Sequence, residues 1–290
     1  MNWILYYCIL TPLSWLPLRI LYLLSDLTYL VVYHVLHYRR KIARRNLCNS
    51  FPEKSEKEIK RIERRYYRHL ADLLVEAIYG LRATPQQVLK HYKVVNREVI
   101  NKYYEQGQSV ILMSAHYNNW EYMVLSINFQ LLHHGIGVGK PLNNKNFGRH
   151  LTQARIRYGD EVVDQTNVRQ VMEYYHRYHV PCAYMMLSDQ SPSNPKKSFW
   201  TRFLNQETAF LYGSEHFARK YNYPVLFYEV RKVRRGYYEV VLDELCVHPD
   251  SLPEGAITQL YVQRLEDIIR HQPEYWLWTH RRWKLKKDKQ

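Results

Sequence analysis

The stretch Val110–Tyr122, VILMSAHYNNWEY, decides how the middle of the chain folds. Its first four residues are apolar and predict a buried strand, and Asn118 and Asn119 are residue types that favour the start of a helix. His116 then lies in the loop after the strand, and Glu121 lies in the first turn of the helix. In open α/β sheets, ligands bind at this end of a strand. The stretch therefore predicts a strand–loop–helix unit and one edge of a site.

Strands and helices alternate on both sides of this unit. Short apolar runs that predict further strands lie at 135–139, 161–163, 181–187 and 225–232. Segments of helical length lie at 119–133, 144–157, 167–178 and 207–220. The segment 225–242 has the pattern of a β-hairpin at the edge of a sheet. This alternation is typical of an α/β domain whose largely parallel sheet is flanked by helices.

The N-terminal part of the chain differs in composition from the rest. Between residues 3 and 35 only Arg19 and Asp26 are charged, and a basic cluster follows at 39–45. About 20 apolar residues are enough to span a bilayer as a helix, and basic flanks favour the cytoplasmic side. Prolines and the two charges leave open an amphipathic helix in the membrane interface. We expect residues 1–38 to be a membrane anchor and residues 39–290 to form the catalytic domain.

The chain is strongly basic. Lys and Arg number 42 against 27 Asp and Glu, a formal charge of +15, which predicts an anionic partner: phospholipid, nucleic acid or an acidic protein. A helix that follows the capping residue Ser55 carries much of this charge on one face, through Lys57, Lys60, Arg61, Arg64, Arg65 and Arg68. Simple solvation and contact with anionic lipid headgroups both explain this face. The four cysteines are scattered and suggest neither a disulfide framework nor a zinc site.

His116 and Glu121 are a candidate pair for base catalysis. A carboxylate bound to one imidazole nitrogen fixes the tautomer and leaves the other nitrogen as a general base. Ser114 is the adjacent nucleophile candidate, but no G-x-S-x-G surrounds it, so a hydrolase is disfavoured. The base would then act on a hydroxyl of the substrate, with an activated electrophile such as a thioester. The alternative is a structural histidine, with Glu121 complementing the helix dipole.

Four further stretches accompany the H-x4-E spacing. They are GIGVGKPLNNKNF (135–147), ARIRYGDEVVD (154–164), LSDQSPSNPKKSFWTRFLNQETAF (187–210) and WLWTHRRWK (276–284). In this order they resemble the bacterial lipid A late acyltransferases, the lauroyl and myristoyl transferases, within the H-x4-D/E lysophospholipid acyltransferase superfamily. The resemblance extends over essentially the whole chain.

The resemblance implies a glycerolipid-acyltransferase-like α/β fold and a function. Members transfer a fatty acyl chain from an acyl thioester, usually acyl carrier protein, to a hydroxyl of a membrane lipid at the cytoplasmic face of the bacterial inner membrane. The implied acceptor here is a lipid A precursor. The basic charge suits the acidic carrier protein and an anionic membrane surface. Neither a metal nor a dissociable cofactor is implied.

The same resemblance assigns roles to individual residues. His116 would deprotonate the acceptor hydroxyl, Glu121 would orient the His116 ring, and Arg155 would stabilise the oxyanion. The implied substrate-binding residues are Asn119, Arg157, Asp189, Gln190, Arg281 and Arg282. Structural alternatives stay open for several of them: Arg155 as a surface arginine near a helix end, Asp189 as a cap of its own loop, and Arg281 and Arg282 as a solvated basic tail.

Two other functions remain as alternatives. One is O-acyl transfer to a lysophospholipid or an aminolipid, which the motifs do not separate from a lipid A acceptor. The other is a non-catalytic basic protein that binds anionic membrane or nucleic acid. No glycine-rich phosphate loop or RNA-binding motif is present, so we expect no nucleic-acid partner. The length of the acyl chain and the choice between carrier protein and coenzyme A stay open.

Overall fold

A seven-stranded, mostly parallel sheet forms the centre of the molecule, in the order β1-β9-β8-β2-β5-β3-β4. The computed structural model describes residues 5–140, 145–195 and 198–287. The strands are β1 Tyr92–Val94, β2 Val110–Ser114, β3 His134–Gly139, β4 Glu161–Asp164, β5 Cys182–Leu187, β6 Ser198–Phe203, β7 Gln206–Leu211, β8 Val225–Arg234 and β9 Tyr237–Cys246. The strands β8, β2, β5, β3 and β4 run parallel to one another, whereas β9 is antiparallel to β8. The α/β fold class predicted from the sequence is confirmed.

Helices cover both faces of this sheet. They are α1 Thr11–Ser14, α2 Leu18–Tyr29, α3 Arg40–Ser50, α4 Glu56–Gly80, α5 Pro85–His91, α6 Glu98–Glu105, α7 Glu121–Gln130, α8 Lys145–Ile156, α9 Val168–Arg177, α10 Gly213–Tyr221 and α11 Ala256–His271. The long helix α4 begins with a capping box, in which Ser55 Oγ accepts from the Glu58 backbone and the Glu58 carboxylate accepts from the Ser55 backbone. The stretch KPLNN (140–144), which is part of GIGVGKPLNNKNF, lies largely outside the described residues.

The central strand β2 contributes to two hydrophobic clusters, one on each side of the sheet. Ile111 and Met113 pack into one cluster, and Val110 and Leu112 pack into the other. This follows from the two-residue period of a strand, which sends alternate side chains to opposite faces. A strand buried on both faces reads as a continuous apolar run, which is why β2 was recognisable in the sequence.

Two elements differ from the sequence prediction. The segment predicted as a helix over 207–220 begins as strand β7, which pairs with β6, and only Gly213–Tyr221 is helical. The β8–β9 hairpin is present, but it is not at the edge of the sheet. The three residues of β1 pair in parallel with β9 and form the edge instead.

The apolar N-terminal segment packs lengthwise against α4. Leu18–Val35 is long and apolar enough to cross a membrane, by length and composition. Its inner face, through Leu21, Ser25 and Tyr29, is buried at helical spacing, and Ser25 Oγ donates to Asp72 of α4 over 2.8 Å. Its outer face exposes a row of apolar side chains, which we call the apolar stripe: Leu23, Leu27, Leu30, Val31 and Val35.

Candidate active site

The strands β2 and β5 end side by side and bring His116 and Asp189 together. The two strands pair in parallel, with Ser114 opposite Leu187. His116 and Asp189 each follow two residues after that pair. Both side chains therefore emerge at the carboxyl end of the sheet, where open α/β sheets bind ligands.

The Asp189 carboxylate binds both the ring and the backbone of His116. His116 Nδ1 lies 2.7 Å from Asp189 Oδ1, and the His116 backbone N–H donates to Oδ2 over 3.1 Å. Trp276 Nε1 donates to the same Oδ2 over 2.9 Å. Burial raises the pKa of Asp189, but the charge and hydrogen bonds of His116 and the indole of Trp276 outweigh burial and hold that pKa below its usual value. An ionised carboxylate only accepts, so the tautomer of the neutral His116 ring carries its proton on Nδ1 and its lone pair on Nε2.

Two side chains contact the other side of the His116 ring. Gln190 Nε2 lies 3.0 Å from His116 Nε2 and donates to its lone pair. The Trp120 ring meets the imidazole edge-on, with centroids 5.0 Å apart. The His116 side chain is 17% exposed, so the ring lies close to the surface of the protein. An incoming hydroxyl would reach this nitrogen by displacing the Gln190 amide.

Glu121 binds Arg155, and not the imidazole as the sequence suggested. Arg155 Nε and Nη2 donate to the two Glu121 oxygens over 2.7–3.0 Å. Trp120 Nε1 donates to Glu121 Oε1 over 3.1 Å, so Trp120 contacts both His116 and Glu121. The reason is local: α7 begins at Glu121 itself, and its first turn faces the last turn of α8, where Arg155 lies. The carboxylate that orients His116 is Asp189, from a strand exit far away in the sequence.

Buried hydrogen bonds of Asn118 and Asn119 fix the loop between β2 and α7. Asn118 adopts a left-handed conformation with φ 51°, and its Nδ2 donates to the Val230 carbonyl over 2.6 Å. Asn119 was expected to bind substrate. In the structure it is buried, donates to Glu76 over 2.7 Å, and accepts from the Tyr122 backbone over 3.1 Å as a helix cap.

Ser114, the residue a hydrolase would need as its nucleophile, is also buried. Its hydroxyl donates to the Tyr228 carbonyl over 2.7 Å, and the residue is 2% exposed. The hydroxyl therefore serves a contact between β2 and β8, and it is not presented to His116.

Arg157, a second expected substrate-binding residue, is tied to the protein backbone. Its guanidinium donates to the carbonyls of Gly80, Leu81, Ala83 and Ala154. These carbonyls lie at the ends of α4 and α8, where a cation complements the helix dipole. The geometry gives Arg157 a structural task beside the site.

Arg281 and Arg282 occupy different environments. Arg281 is exposed, whereas Arg282 is 2% exposed, donates to the Ala209 carbonyl over 2.6 Å and lies over the Phe210 ring. Burial lowers the pKa of Arg282 to about 10, so it stays charged at neutral pH. The neighbouring His280 has its pKa lowered to about 4, mainly by burial, and is neutral there. Of the two arginines, only Arg281 is accessible to a phosphate group from solvent.

A narrow cleft adjoins the Glu121–Arg155 pair. It has a volume of about 30 Å³, and its walls are mostly apolar: Ala77, Gly80, Leu81, Tyr122, Leu125 and Ala154 line it with the pair. This volume holds roughly one water molecule. The pair therefore borders an apolar wall, with its charge partly exposed.

Trp120, Trp276 and Glu76 are site residues that the sequence did not reveal. Trp276 lies in the stretch 276–284, but nothing in that pattern indicates a bond to Asp189. Glu76 lies on α4 and accepts from Asn119 in the loop. Contacts between segments so distant in sequence leave no local signal.

Several known proteins are similar to this chain over most of its length. The lipid A biosynthesis lauroyltransferase of Escherichia coli K12 is 23% identical over 95% of this chain and 92% of its own length. The lipid A biosynthesis palmitoleoyltransferase of the same organism is 24% identical over 94% and 92%. A lipid A biosynthesis acyltransferase of Haemophilus influenzae is 26% identical over 86% and 79%. The family model for bacterial lipid A biosynthesis acyltransferases matches residues 1–285, and the chain therefore belongs to this family of acyltransferases.

Proposed function

We propose that this protein transfers a fatty acyl chain from acyl carrier protein to a hydroxyl of a lipid A precursor. Family membership supports acyl transfer, and the names of the relatives support the acceptor. The observation that carries the mechanism is the partly exposed His116 ring, which is fixed by Asp189 at Nδ1 and contacted at Nε2 by the Gln190 amide.

His116 is the general base in this proposal. Nε2 removes the proton of the acceptor hydroxyl as its oxygen attacks the thioester carbonyl carbon. The C–S bond then breaks, and the proton passes from the imidazolium to the departing thiolate. The products are the acylated lipid and the free thiol of the carrier. Asp189 is a positioning residue, because it keeps the proton on Nδ1 and stabilises the imidazolium that forms between the two steps.

Arg155 is the residue we assign to the oxyanion. Glu121 occupies its Nε and Nη2 edge, and no described residue hydrogen-bonds to its Nη1. A guanidinium held on one edge presents its remaining donors in a fixed direction, which is what stabilisation of a developing charge requires. In this proposal Glu121 orients Arg155, and Asp189 orients the base His116.

The N-terminal segment supports a membrane location. The apolar stripe on its outer face has no partner among the described residues, whereas its inner face is bonded to α4. A helix with one face docked on the protein and an exposed apolar face suits the membrane interface. We propose that this face lies in the cytoplasmic leaflet of the bacterial inner membrane, with the catalytic domain in the cytoplasm. Acyl carrier protein and the acceptor would then meet at Nε2.

Acyl transfer by purified protein tests the proposal directly. Wild type is incubated with radiolabelled acyl carrier protein and one of three acceptors: a lipid A precursor, a lysophospholipid or an aminolipid. We expect a labelled lipid A product with wild type and none with His116→Ala. Arg177→Ala, at the end of α9, is the matched control and should retain activity. If only the lysophospholipid were acylated, the proposed acceptor would be wrong. Activity in His116→Ala would refute the mechanism.

A further inference from the structure

A second cleft opens between the apolar N-terminal helix, which here means the whole segment Leu18–Val35, helix α4 and the β8–β9 turn. Its volume is about 620 Å³, and it is lined by Asp26, Tyr29, Leu30, Arg68, Asp72, Lys232, Val233, Arg234, Arg235 and Tyr275. None of the residues assigned above to the acyl-transfer chemistry lines it. A cleft of this size holds a small polar ligand or a lipid headgroup.

Four basic and two acidic side chains line this cleft, which leaves a surplus of positive charge. Arg235 is paired with Asp26 and Asp72 at 2.7 Å each, and Lys232 lies 3.5 Å from Asp72. These ion pairs join the N-terminal helix to α4 and to the hairpin. They satisfy both carboxylates and leave two arginines over.

Those two arginines, Arg68 and Arg234, each lie over an aromatic ring, and their N–H groups make no hydrogen bond to a described residue. The Arg68 guanidinium carbon lies 5.2 Å from the centre of the Tyr29 ring, and that of Arg234 lies 3.8 Å from the centre of the Tyr237 ring. Neither has an ion-pair partner among the described residues. A cation that rests on an aromatic face keeps its donors available, and a guanidinium matches phosphate oxygens in a bidentate way. Both side chains are exposed, so these donors are accessible to an anion from solvent.

Two of the residues that line the cleft are apolar and exposed, one from the N-terminal segment and one from β8. Leu30 is 51% exposed and Val233 is 60% exposed, and both line the cleft. Leu30 also belongs to the apolar stripe, so the stripe leads directly into the basic cleft. A ligand that suits both surfaces has an anionic head and hydrocarbon chains.

We propose that this cleft binds the phosphate group of an anionic phospholipid, with Arg68 and Arg234 as its ligands and the acyl chains along the apolar stripe. The proposal rests on the membrane location given under the proposed function, but not on the acyl-transfer chemistry. A bound headgroup would fix the angle at which the N-terminal helix meets the bilayer.

Vesicle binding by a matched pair of double variants tests this site. Arg68→Gln/Arg234→Gln removes the two free arginines, and Lys60→Gln/Arg61→Gln removes two exposed charges of α4 that do not line the cleft. Full-length protein is titrated with vesicles of phosphatidylcholine alone and with vesicles that contain phosphatidylglycerol. In a separate arm it is titrated with glycerol phosphate. Thermal unfolding confirms that both variants are folded.

The expected result is a difference between the two variants. Loss of a basic residue near an anionic surface weakens binding about fivefold, so both variants lose affinity for phosphatidylglycerol vesicles through charge alone. We expect the cleft variant to lose roughly tenfold more than the control, because it also loses charged hydrogen bonds. Equal losses, with no glycerol phosphate binding that depends on the two arginines, would overturn the site. Saturable binding of glycerol phosphate without a vesicle difference would assign it to a soluble phosphate.

The vesicles of phosphatidylcholine separate this proposal from the membrane location. A protein that binds neither type of vesicle contradicts the membrane location, and the glycerol phosphate arm still tests the cleft. Because every arm measures binding, failure of the acyl-transfer assay would leave the result unaffected.

Discussion

Replacement of Asp189 by asparagine should invert the tautomer of His116. Asp189 Oδ2 accepts from two donors, the His116 backbone N–H and Trp276 Nε1, and neither can become an acceptor. The asparagine oxygen must therefore take the place of Oδ2. Its NH2 group then takes the place of Oδ1, 2.7 Å from His116 Nδ1. Facing a donor, Nδ1 must give up its proton, which moves to Nε2 and removes the lone pair that the proposed mechanism uses as the base.

The loss of activity should be large and the loss of stability small. A positioned general base contributes about 10²–10⁴-fold to the rate, and Asp189→Asn should lose most of this in kcat. The asparagine oxygen keeps both donors on the Oδ2 side, so the change in unfolding free energy should be about 1–2 kcal/mol, the difference between a charge-assisted hydrogen bond and the neutral bond that replaces it. Glu121→Gln is the control for the tautomer and not for the rate, because it removes a carboxylate near the ring that has no bond to it.

Steady-state acyl transfer and ¹⁵N NMR of the histidine rings check this reasoning together. In wild type and Glu121→Gln, His116 should carry its proton on Nδ1. In Asp189→Asn the proton should be on Nε2. If Asp189→Asn kept its proton on Nδ1, or turned over within about threefold of wild type while His116→Ala was inactive, Asp189 would not set the tautomer.

Three further changes test neighbouring contacts. Arg155→Lys cannot keep the two-point bond to Glu121, so kcat should fall about 10²–10³-fold, measured as initial rates, with little change in melting temperature. Trp276→Phe removes one donor from Asp189, so chemical denaturation should show a loss of about 1–2 kcal/mol. Burial raises the pKa of Glu76 to about 7 from 4.5, so the folded state holds this proton more tightly than the unfolded state. The stability that Glu76 contributes below pH 4.5 is therefore lost as the pH rises to 7, and the loss is at most about 3 kcal/mol. Thermal unfolding of Glu76→Gln over the same pH range should not show this loss.

The alternation of strands and helices could be predicted because parallel strands are buried on both faces. Such strands are continuous apolar runs, and β2 and β5 are examples. The β6–β7 hairpin could not be predicted in this way. Its turn places Leu204 and Asn205 at φ 47° and 63°, and leucine is not a residue that signals a turn. Leu204 is fully buried, so its packing offsets a conformation that its local sequence disfavours.

The structure brings together several of the predicted site residues, but not in the predicted pairs. His116, Asp189 and Gln190 all lie at strand exits that the sequence marks. Which exits are neighbours depends on the order of the strands, and the adjacency of β2 and β5 is a tertiary fact. Spacing along the chain favoured Glu121 as the partner of the ring. The Ser114–Leu187 register places Asp189 there instead.

Glu76 links the apolar N-terminal helix to the catalytic loop. Its carboxylate accepts from Tyr22 of α2 over 2.8 Å, from Asn119 over 2.7 Å, and from Tyr238 of β9 over 2.9 Å. A buried polar group that loses a partner costs about 1–3 kcal/mol, so undocking of α2 is opposed by the same carboxylate that holds Asn119. Asn119 is three residues from His116, so the position of the base depends on the docking of α2. If the apolar stripe binds the membrane, the surface that receives the lipid and the loop that carries the base are parts of one hydrogen-bonded unit.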